Sequence, residues 1–82
     1  MFQMKREEIF KKVCIIFQEV IEDDNLLIRE EQNADDIDEW DSLTHIMLVV
    51  EIEKAFQLKF LSSEISKWKN IGEMITAIHD KL

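Results

Sequence analysis

The segment DDIDEWDSLTHI, residues 35–46, holds the side chains whose types and spacing could do chemistry. Ser42 supplies a hydroxyl, and His45 follows three residues later, on the same side of any helix that begins here. A nucleophilic serine needs a base to accept its proton and donors to hold an oxyanion. The chain has no G-x-S-x-G elbow, and its 82 residues leave little room for a substrate cleft. We therefore expect no enzymatic activity from this pair.

The acidic residues before Ser42 look like a calcium loop but lack its spacing. An EF-hand needs glycine at its sixth position and glutamate at its twelfth. Counted from Asp36 these positions hold aspartate and methionine, and counted from Asp35 they hold tryptophan and isoleucine. His45, His79 and Cys14 are too dispersed to ligate zinc. We expect no metal site, both histidines on helix surfaces, and the cysteine buried as a small apolar residue.

Ser42 is also suited to being modified by another protein. It follows a long loop and begins a predicted helix, so its hydroxyl should be exposed, and the amides and dipole of a helix start favour an attached phosphate. An Asp-Ser pair at a helix start is nevertheless most often only a cap. These residues alone permit both interpretations.

The composition predicts an all-α bundle in one domain, residues 1–82. The chain has no proline and one glycine, so it lacks the turn residues that sandwiches and barrels need. Residues 23–41 show no sustained periodicity and form a long loop, which is commonly functional in a small domain. Its apolar residues should pin it to the core, and these are Leu26, Leu27, Ile28, Ile37 and Trp40.

Apolar periodicity and capping residues predict three main helices and one short helix. The first runs from about residue 3 to 22, and the second from residues 41–42 to about 56, with Asp41 as its N-cap. Ser62 or Ser63 caps a brief third helix that runs to about Trp68, and Asn70 caps the last helix. The apolar face predicted for the second helix comprises Leu43, Ile46, Met47, Val50 and Phe56, widened by Val49 and Ile52.

The distribution of charge restricts the partners. Residues 22–41 hold ten acidic side chains against Arg29, a local charge of −9 within a net charge of −8. Such a segment repels nucleic acid and attracts a basic protein surface. We see no membrane span or signal peptide in the sequence, and we expect a cytoplasmic protein that is a monomer.

Together these features resemble the acyl carrier proteins. Asp41-Ser42-Leu43 is similar to the Asp-Ser-Leu motif of that family, and the similarity extends over the chain in size, acidity, long loop and helix order. The resemblance implies an acyl-carrier-like four-helix bundle that is not an enzyme. It implies that a phosphopantetheinyl transferase, with magnesium, joins 4′-phosphopantetheine from coenzyme A to Ser42. The thiol of that arm then holds acyl groups as thioesters.

The resemblance also assigns roles to neighbouring residues. Asp41 would cap the helix and help the transferase to recognise the site, and Leu43 would be a docking contact or a core residue. Partners would include an acyl-loading ligase or acyltransferase and downstream enzymes with basic docking surfaces. The candidate docking residues are Thr44, Ile46, Met47, Asp38, Glu39 and Trp40.

The sequence departs from the pattern of fatty-acid carriers at Thr44 and Met47, where those carriers commonly have acidic residues. The acidity lies instead in the preceding loop, and Trp40 occupies a position where small residues are common. These departures put docking to a generic fatty-acid synthase in doubt. The form WDSLTHI is more similar to carriers dedicated to specialised pathways, such as polysaccharide modification or secondary metabolism.

Other interpretations remain open from the sequence. An aminoacyl or peptidyl carrier is the nearest, although such carriers are generally less acidic and often lack the leucine that Leu43 provides. An unmodified interaction module would use Ser42 as a plain cap and the acidic loop for docking. A small hydrolase would use Ser42 and His45, and only such a self-activated serine should react with a phosphonate.

Overall fold

The computed structural model describes residues 4–37 and 39–82. These residues form four helices and no strand, namely α1 (Arg6–Ile21), α2 (Ser42–Phe56), α3 (Ser62–Ile65) and α4 (Ile71–Lys81). The prediction of an all-α fold with one short helix and a long first loop is confirmed. The short helix ends before Trp68. The backbone N–H of Trp68 donates to the carbonyl of Ile65 in the turn that follows.

The predicted capping residues begin α2 and α4, whereas the prediction that Ser62 or Ser63 caps α3 is wrong, because Leu61 occupies the N-cap position. Asp41 accepts a hydrogen bond from the backbone N–H of Thr44, and Asn70 accepts one from that of Glu73, both at 2.8 Å. These bonds satisfy amides that the helices themselves leave without partners. The Glu73 carboxylate accepts in turn from the backbone of Lys69, one residue before the position that a capping box would use.

The core lies where α1 packs against α2 and α4. Each fully buried aliphatic or aromatic side chain contributes about 1.5–3 kcal/mol of transfer free energy. The clustered buried residues are Ile9, Val13, Ile16, Phe17, Ile28, Ile37, Trp40, Leu48, Ile52, Phe56, Ile71, Met74, Ile75 and Ile78. Cys14 is only partly buried and packs against this cluster, so its predicted full burial is wrong.

The prediction of which face of α2 meets the core is largely wrong. Of the five residues that defined the predicted face, only Phe56 is buried, and Leu48, Val49 and Ile52 fill the core beside it. The sequence of α2 is apolar around much of its circumference, so periodicity cannot distinguish a core stripe from an exposed one. The exposed stripe comprises Leu43, Ile46, Met47 and Val50.

The long loop is pinned to the bundle by apolar side chains at both ends. Ile28, Ile37 and Trp40 are buried and Leu26 is half-buried, as predicted, whereas Leu27 is 79% exposed. The backbone is tied to the start of α4 as well, through a hydrogen bond from the N–H of Ile71 to the carbonyl of Gln32 and one from Gly72 to Glu30. The loop therefore delivers the chain to the start of α2 in a defined position.

Candidate functional site

Ser42 is the first residue of α2, and its side chain is exposed. Among residues 4–37 and 39–82, no hydrogen bond engages its hydroxyl. Capping is done by Asp41, whose pKa is lowered chiefly by its hydrogen bond from the Thr44 backbone. The serine hydroxyl is therefore not used to start the helix.

The indole of Trp40 lies beneath this site and contacts His45. Its Nε1–H donates to Nδ1 of the imidazole at 3.0 Å, and the two rings lie at an interplanar angle of 26° with centroids 5.9 Å apart. Burial lowers the pKa of His45. The prediction that this histidine lies on the helix surface is wrong, because it shares the core stripe with Leu48 and Val49 and is half-buried. His79 is exposed on α4, as predicted.

An open groove of about 570 Å³ begins beside Ser42. Its aromatic and apolar lining includes Trp40, His45, Ile65 and Trp68, and polar lining residues come from the loop and from the segment before α4. The remaining lining residues are Asn33, Ala34, Asp35, Asp41, Ser66 and Lys69. The groove thus joins an exposed hydroxyl to a surface that can contact both apolar and polar groups.

A second open groove of about 550 Å³ lies between α1 and α2. Its floor includes the exposed apolar residues Ile46, Met47 and Val50. Its lining also includes three acidic residues, Glu19, Glu22 and Glu51. Leu43, 68% exposed, extends the apolar surface to the residue beside Ser42.

Comparison with known proteins identifies relatives over nearly the whole chain. No model of a known protein family matches the sequence. The chain is 34% identical over 77 residues to an acyl carrier protein of Thermotoga maritima, covering 94% of this chain and 95% of the relative.

The chain belongs to the acyl carrier protein family.

The structural comparison agrees with this family assignment. The solution NMR structure of a holo acyl carrier protein from Geobacter metallireducens superposes with a TM-score of 0.80 and 38% identity, over 88% of this chain and 82% of that one. The expected carrier fold is confirmed. Acyl carrier proteins carry acyl groups and are not enzymes, so the non-enzymatic carrier role is confirmed as well.

The candidate docking residues of this acyl carrier protein differ in their exposure to solvent. Ile46 and Met47 are exposed, Glu39 is exposed, and Thr44 is half-buried. Asp38 lies outside the described residues. Trp40 is only 7% exposed and supports the site from within the core, and its docking role stays a prediction.

The described residues were also compared with what a metal site and a membrane span require. Within the described residues there is no cluster of three or more side chains that could hold a metal ion. No helix there is long and apolar enough to cross a membrane.

Sequence reasoning missed the contribution of the third helix region to this site. Trp68 packs edge-on against His45, with ring centroids 6.1 Å apart, and against Phe60 at 4.8 Å. The available signal was the position of His45, three and four residues before the apolar pair Leu48 and Val49. That spacing indicates an inward-facing ring, which must then find partners across the bundle.

Proposed function

We propose that residues 1–82 form one acyl carrier domain that carries its cargo on a 4′-phosphopantetheine arm attached to Ser42. The observation that carries this proposal is the exposed, unengaged hydroxyl at the first position of α2, with Asp41 already serving as the cap. A serine that is free of capping and faces solvent is available to a modifying enzyme. The holo form of the Geobacter relative is consistent with it.

The residues around Ser42 fit such an arm. A phosphodiester at this position would face the positive end of the α2 dipole. Beyond it, the groove offers apolar contacts from Trp68 and Ile65 and polar contacts from Asn33 and Lys69. When attached, the arm supplies a terminal thiol on which an acyl group is held as a thioester.

Attachment requires a separate transferase, because residues 4–37 and 39–82 offer the Ser42 hydroxyl no hydrogen-bonded base. The one nearby imidazole has Nδ1 engaged by Trp40, and no hydrogen bond joins it to Ser42 within the described residues. A phosphopantetheinyl transferase with magnesium would take the hydroxyl proton and join the serine oxygen to the arm's phosphate. The nucleotide part of coenzyme A would leave. Asp41, beside the reacting oxygen, would contribute to recognition by the transferase.

The partner enzymes would dock on the exposed stripe of α2. Leu43, Ile46 and Met47 supply apolar area, and Thr44 adds a polar contact at the start of the helix. Asp38 and Glu39 would supply acidic contacts from the loop. Loading ligases or acyltransferases and downstream enzymes would therefore present an apolar hollow with a basic rim.

We infer a specialised pathway rather than general fatty-acid synthesis. The first turn of α2 has no acidic residue. The carboxylates that share a groove with its exposed stripe belong to Glu19 on α1, to Glu22 just after α1 and to Glu51 in the second half of α2. A partner that reads acidic groups on the first turn of α2 would meet an apolar surface here.

Intact mass spectrometry tests the attachment. The protein is incubated with coenzyme A, magnesium and a broad-specificity phosphopantetheinyl transferase, beside a known carrier as a positive control. Wild type should gain one phosphopantetheine and Ser42→Ala none. Ser62→Ala is the matched control, because Ser62 is also an exposed first residue of a helix, and it should react like wild type. No gain in folded wild type would contradict the proposal and favour an unmodified interaction module.

A further inference from the structure

The hydrogen bond between Trp40 and His45 fixes the position of a proton. An indole nitrogen can only donate, so Nδ1 of the imidazole, 3.0 Å away, accepts and carries no hydrogen. In the neutral ring the hydrogen must then be on Nε2. The ring therefore has one free donor, and Trp40 determines which nitrogen it is.

Core aromatic residues hold this imidazole in one orientation. Trp40 lies at an interplanar angle of 26° to it with the ring centroids 5.9 Å apart, and Trp68 packs edge-on against it at 75°. Phe17 supports Trp40 from α1 at 5.2 Å between centroids, and Phe60 supports Trp68 at 4.8 Å. A ring held between two supported tryptophans loses little further freedom when it makes another hydrogen bond.

The imidazole and Ser42 line the same groove, three residues apart on α2. The charged side chains lining that groove are Asp35 from the loop, the helix cap Asp41, and Lys69 from the segment before α4. Within the described residues, no hydrogen bond engages Nε2. The described part of the groove thus combines two carboxylates and one ammonium group with the neutral N–H donor of His45.

We propose that His45 is a positioning residue for the phosphopantetheine arm, donating from Nε2–H to the phosphodiester on Ser42, with Trp40 fixing the donor tautomer. The inference rests on the proposed attachment at Ser42. The phosphodiester is an acceptor with one negative charge, and it would be tethered one helical turn from this donor. Trp40 would in this way link the core to the orientation of the arm.

Attachment of the arm should change the titration of this histidine. A negative charge close to the ring favours its protonated form, so the pKa of His45 should be higher in the arm-bearing protein than in the protein without it. Asp35, Asp41 and Lys69 are present in both forms and cancel in the comparison. His79, exposed on α4 and outside the groove, supplies an internal reference in the same sample.

NMR of ¹⁵N-labelled protein, with and without the arm, tests these expectations. Long-range ¹H–¹⁵N correlations report the tautomer, and a pH series reports the titration of each histidine. We expect the Nε2–H tautomer of His45 in both forms, and a midpoint that moves to higher pH only for His45 when the arm is attached. The Nδ1–H tautomer, or an equal shift at His79, would overturn the inference.

Two variants separate positioning from packing. His45→Phe keeps an aromatic ring between the tryptophans but removes the donor, so the ³¹P resonance of the attached arm should shift. Trp40→Phe leaves the imidazole of His45 in place but removes the indole N–H that donates to Nδ1. His45 should then populate its Nδ1–H tautomer. An unchanged ³¹P spectrum in a folded His45→Phe protein would contradict the proposal.

Intact mass measured on the same samples distinguishes failure of the positioning role of His45 from failure of attachment at Ser42. If wild type gains the arm but the His45 titration and the ³¹P resonance do not respond, the positioning role is wrong and attachment at Ser42 stands. If folded wild type gains no arm, both are wrong.

Discussion

The guanidinium of Arg6 holds the carboxylate of Glu30 through two of its nitrogens, with the closest N–O distance at 2.6 Å. The same guanidinium donates to the carbonyl of Gly72 at 2.9 Å and to the hydroxyl of Thr76 at 2.8 Å. One side chain of α1 therefore fastens both the long loop and α4. This connection fixes the loop that leads to Ser42.

Replacing Arg6 by alanine should destabilise the protein. The change removes several hydrogen bonds, including charge-assisted ones, but the pair is partly exposed, so we expect a loss of about 1–2 kcal/mol. Urea unfolding followed by circular dichroism measures it. Lys11→Ala, on the exposed face of the same helix, is the matched control and should change stability by less than about 0.5 kcal/mol. Equal effects from the two substitutions would contradict the role of Arg6.

Replacing Gly72 by alanine should also destabilise the protein, although alanine has the better helix propensity by about 1 kcal/mol. A Cβ at residue 72 would lie 3.2 Å from the carbonyl oxygen of Glu30 and 3.3 Å from Oδ1 of Asn70. Both neighbours are held by hydrogen bonds, so relieving the contact strains the loop, and we expect a net loss of about 1 kcal/mol by urea unfolding. Asp80→Ala in the exposed last turn of α4 is the control and should be neutral or stabilising. A more stable Gly72→Ala protein would show that the loop can move freely there.

Two isoleucines of α2 should respond to alanine in opposite ways. Ile52 is fully buried, so Ile52→Ala should cost about 2–5 kcal/mol in the free energy of unfolding. Ile46 is 60% exposed, so Ile46→Ala should change stability by less than about 0.5 kcal/mol while slowing reaction with the transferase. Urea unfolding and initial rates of arm attachment measure the two effects. Similar losses of stability at both positions would contradict the assignment of the two faces.

Acidification should destabilise the protein partly through His45. Its pKa is lowered in the folded protein from the ordinary value of 6.5, so the unfolded chain takes up a proton first as the pH falls. Stability should therefore decline as the pH drops below about 6.5, until the folded protein also becomes protonated. The lowered pKa of Asp41 adds a further loss below its ordinary value of 3.8.

Urea unfolding at a series of pH values between about 7 and 5 isolates the histidine contribution. His45→Gln should flatten the dependence of stability on pH. If the His45→Gln protein kept the same slope of unfolding free energy against pH, other groups would be responsible for that slope.

Much of the fold could be predicted because capping residues mark helix starts locally. Asp41 and Asn70 begin α2 and α4 where the sequence predicts, since a short polar side chain before an apolar run satisfies the first amides. The inner face of α2 could not be predicted, because Ile46 and Leu48 are alike in hydrophobicity and only their burial in the folded bundle separates them. Tertiary packing, rather than periodicity, selects the buried stripe.

In the candidate site, too, some features could be predicted from the sequence and others could not. The motif Asp41-Ser42-Leu43 is contiguous and can be recognised from the sequence. The contact between Trp40 and His45 depends on how the loop returns to the helix, and that of His45 with Trp68 depends on the position of α3. Such contacts join residues whose proximity exists only in the folded chain.

The most direct test of the central claim is to locate the modification within the chain. After reaction with coenzyme A, magnesium and the transferase, trypsin cleavage at Arg29 and Lys54 releases residues 30–54, in which Ser42 is the single serine. Tandem mass spectrometry should find phosphopantetheine on that peptide and assign it to Ser42. An unmodified peptide 30–54 from folded protein, or an arm attached elsewhere, would contradict the account.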